Sequence, residues 1–361
     1  MKALSVLDLV PIRRGDTARE ALANAAGLIR HVESLGYTRY WVAEHHNMTG
    51  IASAATSVVI AHLAAASVHI RVGSGGIMLP NHSPLVIAEQ FGTLEALFPG
   101  RIDLGLGRAP GTDMETMLAM RRDPHAAEHF PEDIVELAQL LGPVESGQRV
   151  RAVPGMDSQV PLFILGSSLY GAQVAAHFGL PYGFASHFAP AALDQAVSVY
   201  KSRFKPSARL SRPWMMPCVN VIAADTDSEA RRLFTSQQQR VLDMVRNSRG
   251  QLPPPVDDME ALWSPSERAQ VMRMLECSIV GSLDTVTEGL ARFVERTGAD
   301  EVIAAGTIYD HQARCRSYEL LAQAARRLGL PEASRAPTAA HNYTHTGTHT
   351  AAGHPPERAA A

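Results

Sequence analysis

Two strand-like runs in this chain end in residues able to do chemistry. Arg39-Tyr-Trp-Val-Ala-Glu-His-His46 closes on an acid and two histidines. Gly100-Arg-Ile-Asp-Leu-Gly-Leu-Gly-Arg-Ala-Pro-Gly111 closes on glycines, Arg108 and a proline–glycine turn. A guanidinium just past a strand end suits two-point contact with a phosphate, and a histidine there suits proton handling. The competing reading of Arg108 is a surface arginine paired with Asp103 or Asp113. His45 could equally be a hydrogen-bonded structural histidine.

Strand geometry separates the triplet. Side chains alternate, so Trp41, Ala43 and His45 share one face while Val42, Glu44 and His46 share the other. Adjacent histidines then do not grip one ion easily, which weakens a metal-dependent hydrolase using His45, His46 and His82. Leu165-Gly-Ser-Ser168 ends another strand and opens a helix. Ser167 or Ser168 can cap that helix, and their hydroxyls with its free amides can receive an anion; both roles can coexist. Val72-Gly-Ser-Gly-Gly-Ile-Met-Leu-Pro80 places glycines in a central strand, where they mark a bulge or the approach of something flat to the backbone. Gly105-Leu-Gly107 followed by Gly111 has the wrong spacing for a dinucleotide fingerprint.

These tips need elements to hold them. Strand-like runs are expected at Ala3 to Val10, Arg39 to His45, Ile70 to Leu79, Arg101 to Gly107, Pro161 to Gly166, Tyr182 to Ser186, Met215 to Ala223 and Glu301 to Thr307. Helical patterns follow them, such as Thr17 to Leu35, Pro84 to Phe98 and Tyr170 to Phe178, ended by Gly36, Pro99-Gly100 and Gly179. Eight such units predict an α/β TIM barrel, with an open doubly wound sheet as the other solution. Two long connections, Gly111 to Gln159 after the fourth strand and Arg249 to Cys277 after the seventh, are expected as insertions covering the C-terminal rim. One barrel domain over residues 1–330 and a disordered Ala/Thr/His-rich tail over 331–361 complete the expected organisation. His341, His345 and His349 in that tail have metal-ligand spacing only if helical, which their Thr and Gly neighbours oppose.

Composition narrows the classes. The 361 residues are 46% hydrophobic and 19% charged with a formal net charge of -3, so no basic footprint invites nucleic acid. Three cysteines, Cys218, Cys277 and Cys315, lie far apart and match neither a disulfide framework nor a zinc ribbon. The N-terminal run reads as a first strand, not a signal peptide, and a cytoplasmic setting is expected. Ile51 to Val68 is nearly uncharged but rich in Ala, Ser and Thr, which fits a helix packed on a sheet better than a membrane span.

Taken together, Trp41-Val-Ala-Glu-His-His46, Gly73-Ser-Gly-Gly-Ile-Met-Leu-Pro-Asn-His82, Ala88-Glu-Gln90 and Gly100 to Gly111 resemble the bacterial luciferase-like flavin monooxygenases, over about Met1 to Leu328. The likeness is to single-chain members of uncertain substrate. The resemblance implies a TIM barrel that binds reduced FMN, or a deazaflavin, at its C-terminal rim. It also implies flavin delivery by a separate flavin reductase and oxygenation of a small substrate such as an aldehyde. By motif position, His45 matches the histidine beside the reactive flavin carbon, and Arg108 matches the phosphate-binding arginine. Ser167 and Ser168 fall at the second phosphate contact, and Gly75, Gly76 and Met78 lie on the strand against the ring. The glycine pair can adopt a cis peptide in family members. Ser167 departs from the luciferase pattern, which has an acidic residue there. His45, with an ordinary pKa near neutrality, is expected to move a proton during oxygen chemistry. A homodimer is expected from the same likeness, and the alternatives are a flavin-binding barrel without turnover and a deazaflavin-dependent reductase.

Overall fold

The computed structural model describes residues 1–109, 111–123 and 125–329. The expected tail with His341, His345 and His349 lies outside the described residues.

Apolar, β-branched runs alternate with helices along the chain, and the runs form parallel strands. They are β1 (Ala3–Asp8), β2 (Arg39–Val42), β3 (Arg71–Met78), β4 (Ile102–Gly107), β5 (Leu162–Gly166), β6 (Tyr182–Phe184), β7 (Met215–Ala223), β8 (Ser278–Gly281) and β9 (Glu301–Ala305). The ring runs β1 to β7, then β9, and closes because β9 pairs with β1. The chain is therefore a TIM barrel, and the open-sheet alternative falls.

The ninth strand was not expected. β8 pairs with the C-terminal half of β7, Asn220 to Ala223, whereas the first residues of β7 pair with β6. It extends the sheet above β6 and lies inside the second insertion. That insertion is also larger than the predicted Arg249 to Cys277. The helix Asp227–Val245 belongs to it, since Leu283–Thr297 is the helix that leads back into β9. The inserted part has its own small core, including Leu233, Phe234, Leu242, Met259, Trp263 and Val271.

The first insertion needs a correction too. Phe130–Leu140 is a barrel helix with Phe130, Ile134 and Leu137 buried in the main core. The segment after it packs on the helix Pro84–Leu97, where a Cβ on Gly92 would fall 2.1 Å from Gly155 Cα. Only the part before Phe130 contributes to the rim. There Asn47 Nδ2 donates to Thr116 Oγ1 (3.0 Å), Arg249 pairs with Asp113, and Arg249 Nη1 donates to the Asn47 carbonyl (3.2 Å). Leu252 exchanges backbone hydrogen bonds with Ile12 and Arg14. Loops after β1, β2 and β4 are thereby tied to the second insertion.

Inside the barrel, alternation aims one set of side chains inward. Leu7, Trp41, Phe163, Met216, Cys218, Ile303 and Ala305 form an apolar plug. Beneath it lies a buried ionic floor. Asp103 accepts from Arg39 Nη1 (2.7 Å), Arg71 Nε and Nη2 (2.8 and 2.6 Å) and Trp41 Nε1 (3.1 Å), while Arg39 Nε also donates to Glu301 (2.9 Å). Two carboxylates and two guanidiniums cancel in charge and satisfy one another, which is how buried ions are tolerated. Among the described residues no helix is long and apolar enough to cross a membrane. The uncharged run at Ile51 to Val68 contains the short helix Thr56–Ala65.

Candidate active site

The strands deliver the expected residues to one end of the barrel, in two groups. The first joins β4 to β5. Arg108, one residue past β4, is exposed, and its Cζ stacks 4.1 Å from the centroid of Tyr170. Both carboxylates proposed as its partners are committed elsewhere: Asp103 to Arg39 and Arg71, Asp113 to Arg249. Ser167 and Ser168 are exposed immediately before the helix Leu169–Phe178. Ser168 occupies the N-cap position but its hydroxyl makes no capping bond, so the first helix amides keep their donors. A guanidinium over an aromatic ring, two hydroxyls and a helix N-terminus form a donor set suited to a phosphate dianion.

The second group lies over β2 and β3. The Gly75–Gly76 peptide is cis, and the β3–β4 register shifts between Ser74 and Ile77. The glycines have a packing cause. A Cβ on Gly75 would lie 2.5 Å from Leu7 Cδ1, and one on Gly76 would lie 2.8 Å from both the Gly105 carbonyl oxygen and Leu165 Cδ1. The register shift bears out the bulge reading of this strand. Met78 is half-buried beside Gly107, whose Cβ would meet its Sδ at 2.8 Å, and so borders the β4 tip that carries Arg108.

β2 ends at Val42, earlier than predicted, so Ala43 to His46 are irregular. The separation of neighbours nevertheless holds. Glu44 is buried and accepts from His46 Nε2 (2.7 Å), His82 Nε2 (2.9 Å) and the Met78 amide (2.9 Å). Burial alone would raise its pKa, but these bonds outweigh it and hold the carboxyl at about 2. Glu44 thus pins the turn after β3, and His46 and His82 serve that bracket. His45 stays outside it: its ring hydrogen-bonds the Gly111 backbone, and its buried Nδ1 has no partner among the described residues.

Burial, followed by the nearby Arg240 cation, pushes the His45 pKa down to about 4. This corrects the expectation of a histidine titrating near neutrality: at pH 7 His45 is a neutral imidazole. It can donate or accept a hydrogen bond, and it takes a proton only when a reacting group raises its basicity.

Three residues at the mouth were missed by sequence reasoning. His187, just past β6, has an unpartnered buried Nδ1 and a pKa lowered to about 3 by burial and by Arg240 and His45. Asn220 on β7 donates to the His187 carbonyl. Arg240 comes from the inserted helix Asp227–Val245, and burial lowers its pKa to about 10. His187 follows the same pattern as His45 and Arg108, a polar residue at a barrel strand's carboxyl end, and that signal could have found it. Arg240 has no such local signal.

The fold and this rim define a (β/α)8-barrel protein with an exposed cationic and hydroxyl-bearing group at the β4 and β5 tips and a neutral histidine after β2. The chain belongs to the luciferase-like monooxygenase family, whose sequence profile matches residues 3–301. It is 54% identical over 319 residues to a luciferase-like monooxygenase of Escherichia coli strain K12, covering 88% of this chain and 95% of that one. Among solved structures, apo-MsnO8 aligns with a TM-score of 0.80 at 33% identity, covering 92% of this chain and 100% of that one. The oxygenating constituent of the Pseudomonas putida 3,6-diketocamphane monooxygenase, solved with FMN, aligns with a TM-score of 0.67 at 18% identity, covering 90% and 97%.

Proposed function

We propose that this protein is a two-component flavin monooxygenase that oxygenates a small organic substrate such as an aldehyde, its reduced FMN supplied by a separate flavin reductase in the cytoplasm. The observation that carries the reading is the phosphate-type donor set of Arg108, Ser167 and Ser168 at the same end of the barrel as the neutral imidazole of His45, whose buried Nδ1 has no partner among the described residues. The FMN in the related diketocamphane enzyme supports the choice of cofactor.

When bound, reduced flavin would supply two electrons to dioxygen, so that one oxygen atom enters the substrate and the other leaves as water. Arg108 and the helix start at Leu169 would neutralise the phosphate, with Tyr170 keeping the guanidinium extended. Gly75, Gly76 and Met78 would form the surface against the ring. His45 would hold a hydrogen bond at Nδ1 and manage a proton there. The tied rim loops would limit water at the reacting centre.

The test is isotopic. The protein is loaded anaerobically with reduced FMN, mixed with labelled dioxygen and offered a series of aldehydes. A product carrying one labelled oxygen atom supports the reading; flavin reoxidation with no labelled product across the series overturns it.

A further inference from the structure

The mouth holds one charge that its surroundings do not balance. Arg240 is only partly exposed and makes no hydrogen bond or ion pair within 4 Å among the described residues. The acid whose field it feels is Asp8. That carboxylate is already committed: it accepts from the Val10 amide (2.8 Å), Arg314 Nη2 (2.7 Å) and the Tyr40 hydroxyl. Arg314 cancels Asp8, leaving Arg240 as an uncompensated cation.

Its neighbours are equally unfinished. His45 Nδ1, His187 Nδ1 and Asn220 Oδ1 are buried without partners, as is Oε1 of Gln237, one helical turn before Arg240. Asn220 and His187 are joined by a hydrogen bond, and His45, His187 and Arg240 lie within reach of one another's charge. Buried polar atoms are ordinarily satisfied, and an arginine set in such a place without an acid awaits one. Arg108 follows β4 and Tyr170 sits on the helix after β5, whereas Arg240 comes from the inserted helix Asp227–Val245, so this cation is separate from the phosphate-type group.

We infer that Arg240 anchors an anionic group of the substrate, making the substrate a small organic acid whose carboxylate sits on Arg240 while its reacting carbon is presented toward His45. His187 and Asn220 complete the polar wall and Gln237 flanks the anchor. The name substrate rests on the oxygenase reading; the anion site itself does not.

The test therefore needs neither flavin nor turnover. Thermal unfolding midpoints of the full chain are followed with acetate, hexanoate and benzoate, against the matching amides and against chloride at equal ionic strength. Saturable stabilisation by a carboxylate but not by its amide is expected in the wild type. Arg240→Gln should weaken that carboxylate about 10- to 150-fold, the loss expected for a charge-assisted hydrogen bond. Arg240→Lys should retain most of the affinity, and Arg108→Gln should leave it unchanged.

The inference is overturned if no carboxylate exceeds chloride, if amides stabilise equally, or if Arg108→Gln abolishes the effect. It is also overturned if Arg240→Gln weakens reduced FMN and leaves the carboxylates alone. A protein that binds carboxylates through Arg240 yet forms no oxygenated product keeps the anion site and loses the oxygenase reading. The opposite pair of results does the reverse.

Discussion

Replacing Arg108 with alanine tests the phosphate assignment, and the structure sets the size of the effect. Arg108 has no carboxylate partner among the described residues and rests on Tyr170 at 4.1 Å, so its removal creates no orphaned ion among them. Stability should stay within about 0.5 kcal/mol of wild type, as for other surface substitutions. Binding should change much more. A hydrogen bond to a charged group contributes about 1.5 to 3 kcal/mol, which is about 12- to 150-fold in Kd. The assay is fluorescence titration with FMN and with riboflavin, which lacks the phosphate. Arg108→Ala should weaken FMN by that factor and leave riboflavin nearly unchanged, so that the preference for FMN collapses. Equal losses for both ligands would refute the assignment, because the damage would then lie in the ring site. An unchanged FMN constant would move the phosphate elsewhere on the rim. Tyr170→Ala should act in the same direction but only by about 0.5 to 1 kcal/mol, the scale of an exposed cation–π contact.

Three further outcomes follow from the same geometry. His45→Ala should slow oxygenation about 10²- to 10⁴-fold, the range for one acid–base group, while FMN affinity changes little; normal product formation in that variant would remove His45 from the chemistry. Acid should destabilise the fold before most carboxylates titrate. His45 and His187 remain neutral in the folded protein down to about pH 4 and 3, whereas in the unfolded chain they bind protons below about 6.5. Stability present above pH 6.5 is then lost as pH falls, by up to about 2.7 kcal/mol per pH unit for two such groups; urea midpoints at pH 7 and 5 check this, and the variant carrying both His45→Gln and His187→Gln should show a flatter profile. Asp103→Asn leaves Arg39 and Arg71 without their shared counter-ion at the barrel floor and should cost about 3 to 5 kcal/mol in denaturant unfolding; a loss below 1 kcal/mol would mean that the floor relaxes around the change.

The barrel was legible because its strands announce themselves locally. Apolar runs ending in Gly107-Arg108 or Gly166-Ser167 carry both the strand and its functional tip within a few residues. Gly36 and Gly179 marked helix ends, where they adopt positive φ of 86° and 62°. The separation of His45 from Glu44 and His46 followed from pleat geometry and survived even though β2 stops at Val42. What escaped depends on distant parts of the chain. Asp103 looked like an available partner for Arg108, and only the tertiary fold brings Arg39 and Arg71 to it, with Glu301 on Arg39. β8 has just four residues, Ser278 to Gly281, and pairs with a strand some 60 residues earlier. The lowered pKa of His45 comes from burial and then from Arg240, which an inserted helix, Asp227–Val245, delivers to the mouth.

The most direct measurement of the central claim is stopped-flow absorption after mixing the protein, loaded anaerobically with reduced FMN, with oxygenated buffer. An oxygenating site predicts a transient distinct from both reduced and oxidised flavin, outliving the reaction of free flavin and weakened by His45→Ala. Direct reoxidation at the free-flavin rate in both proteins would contradict the account and make deazaflavin binding the next titration.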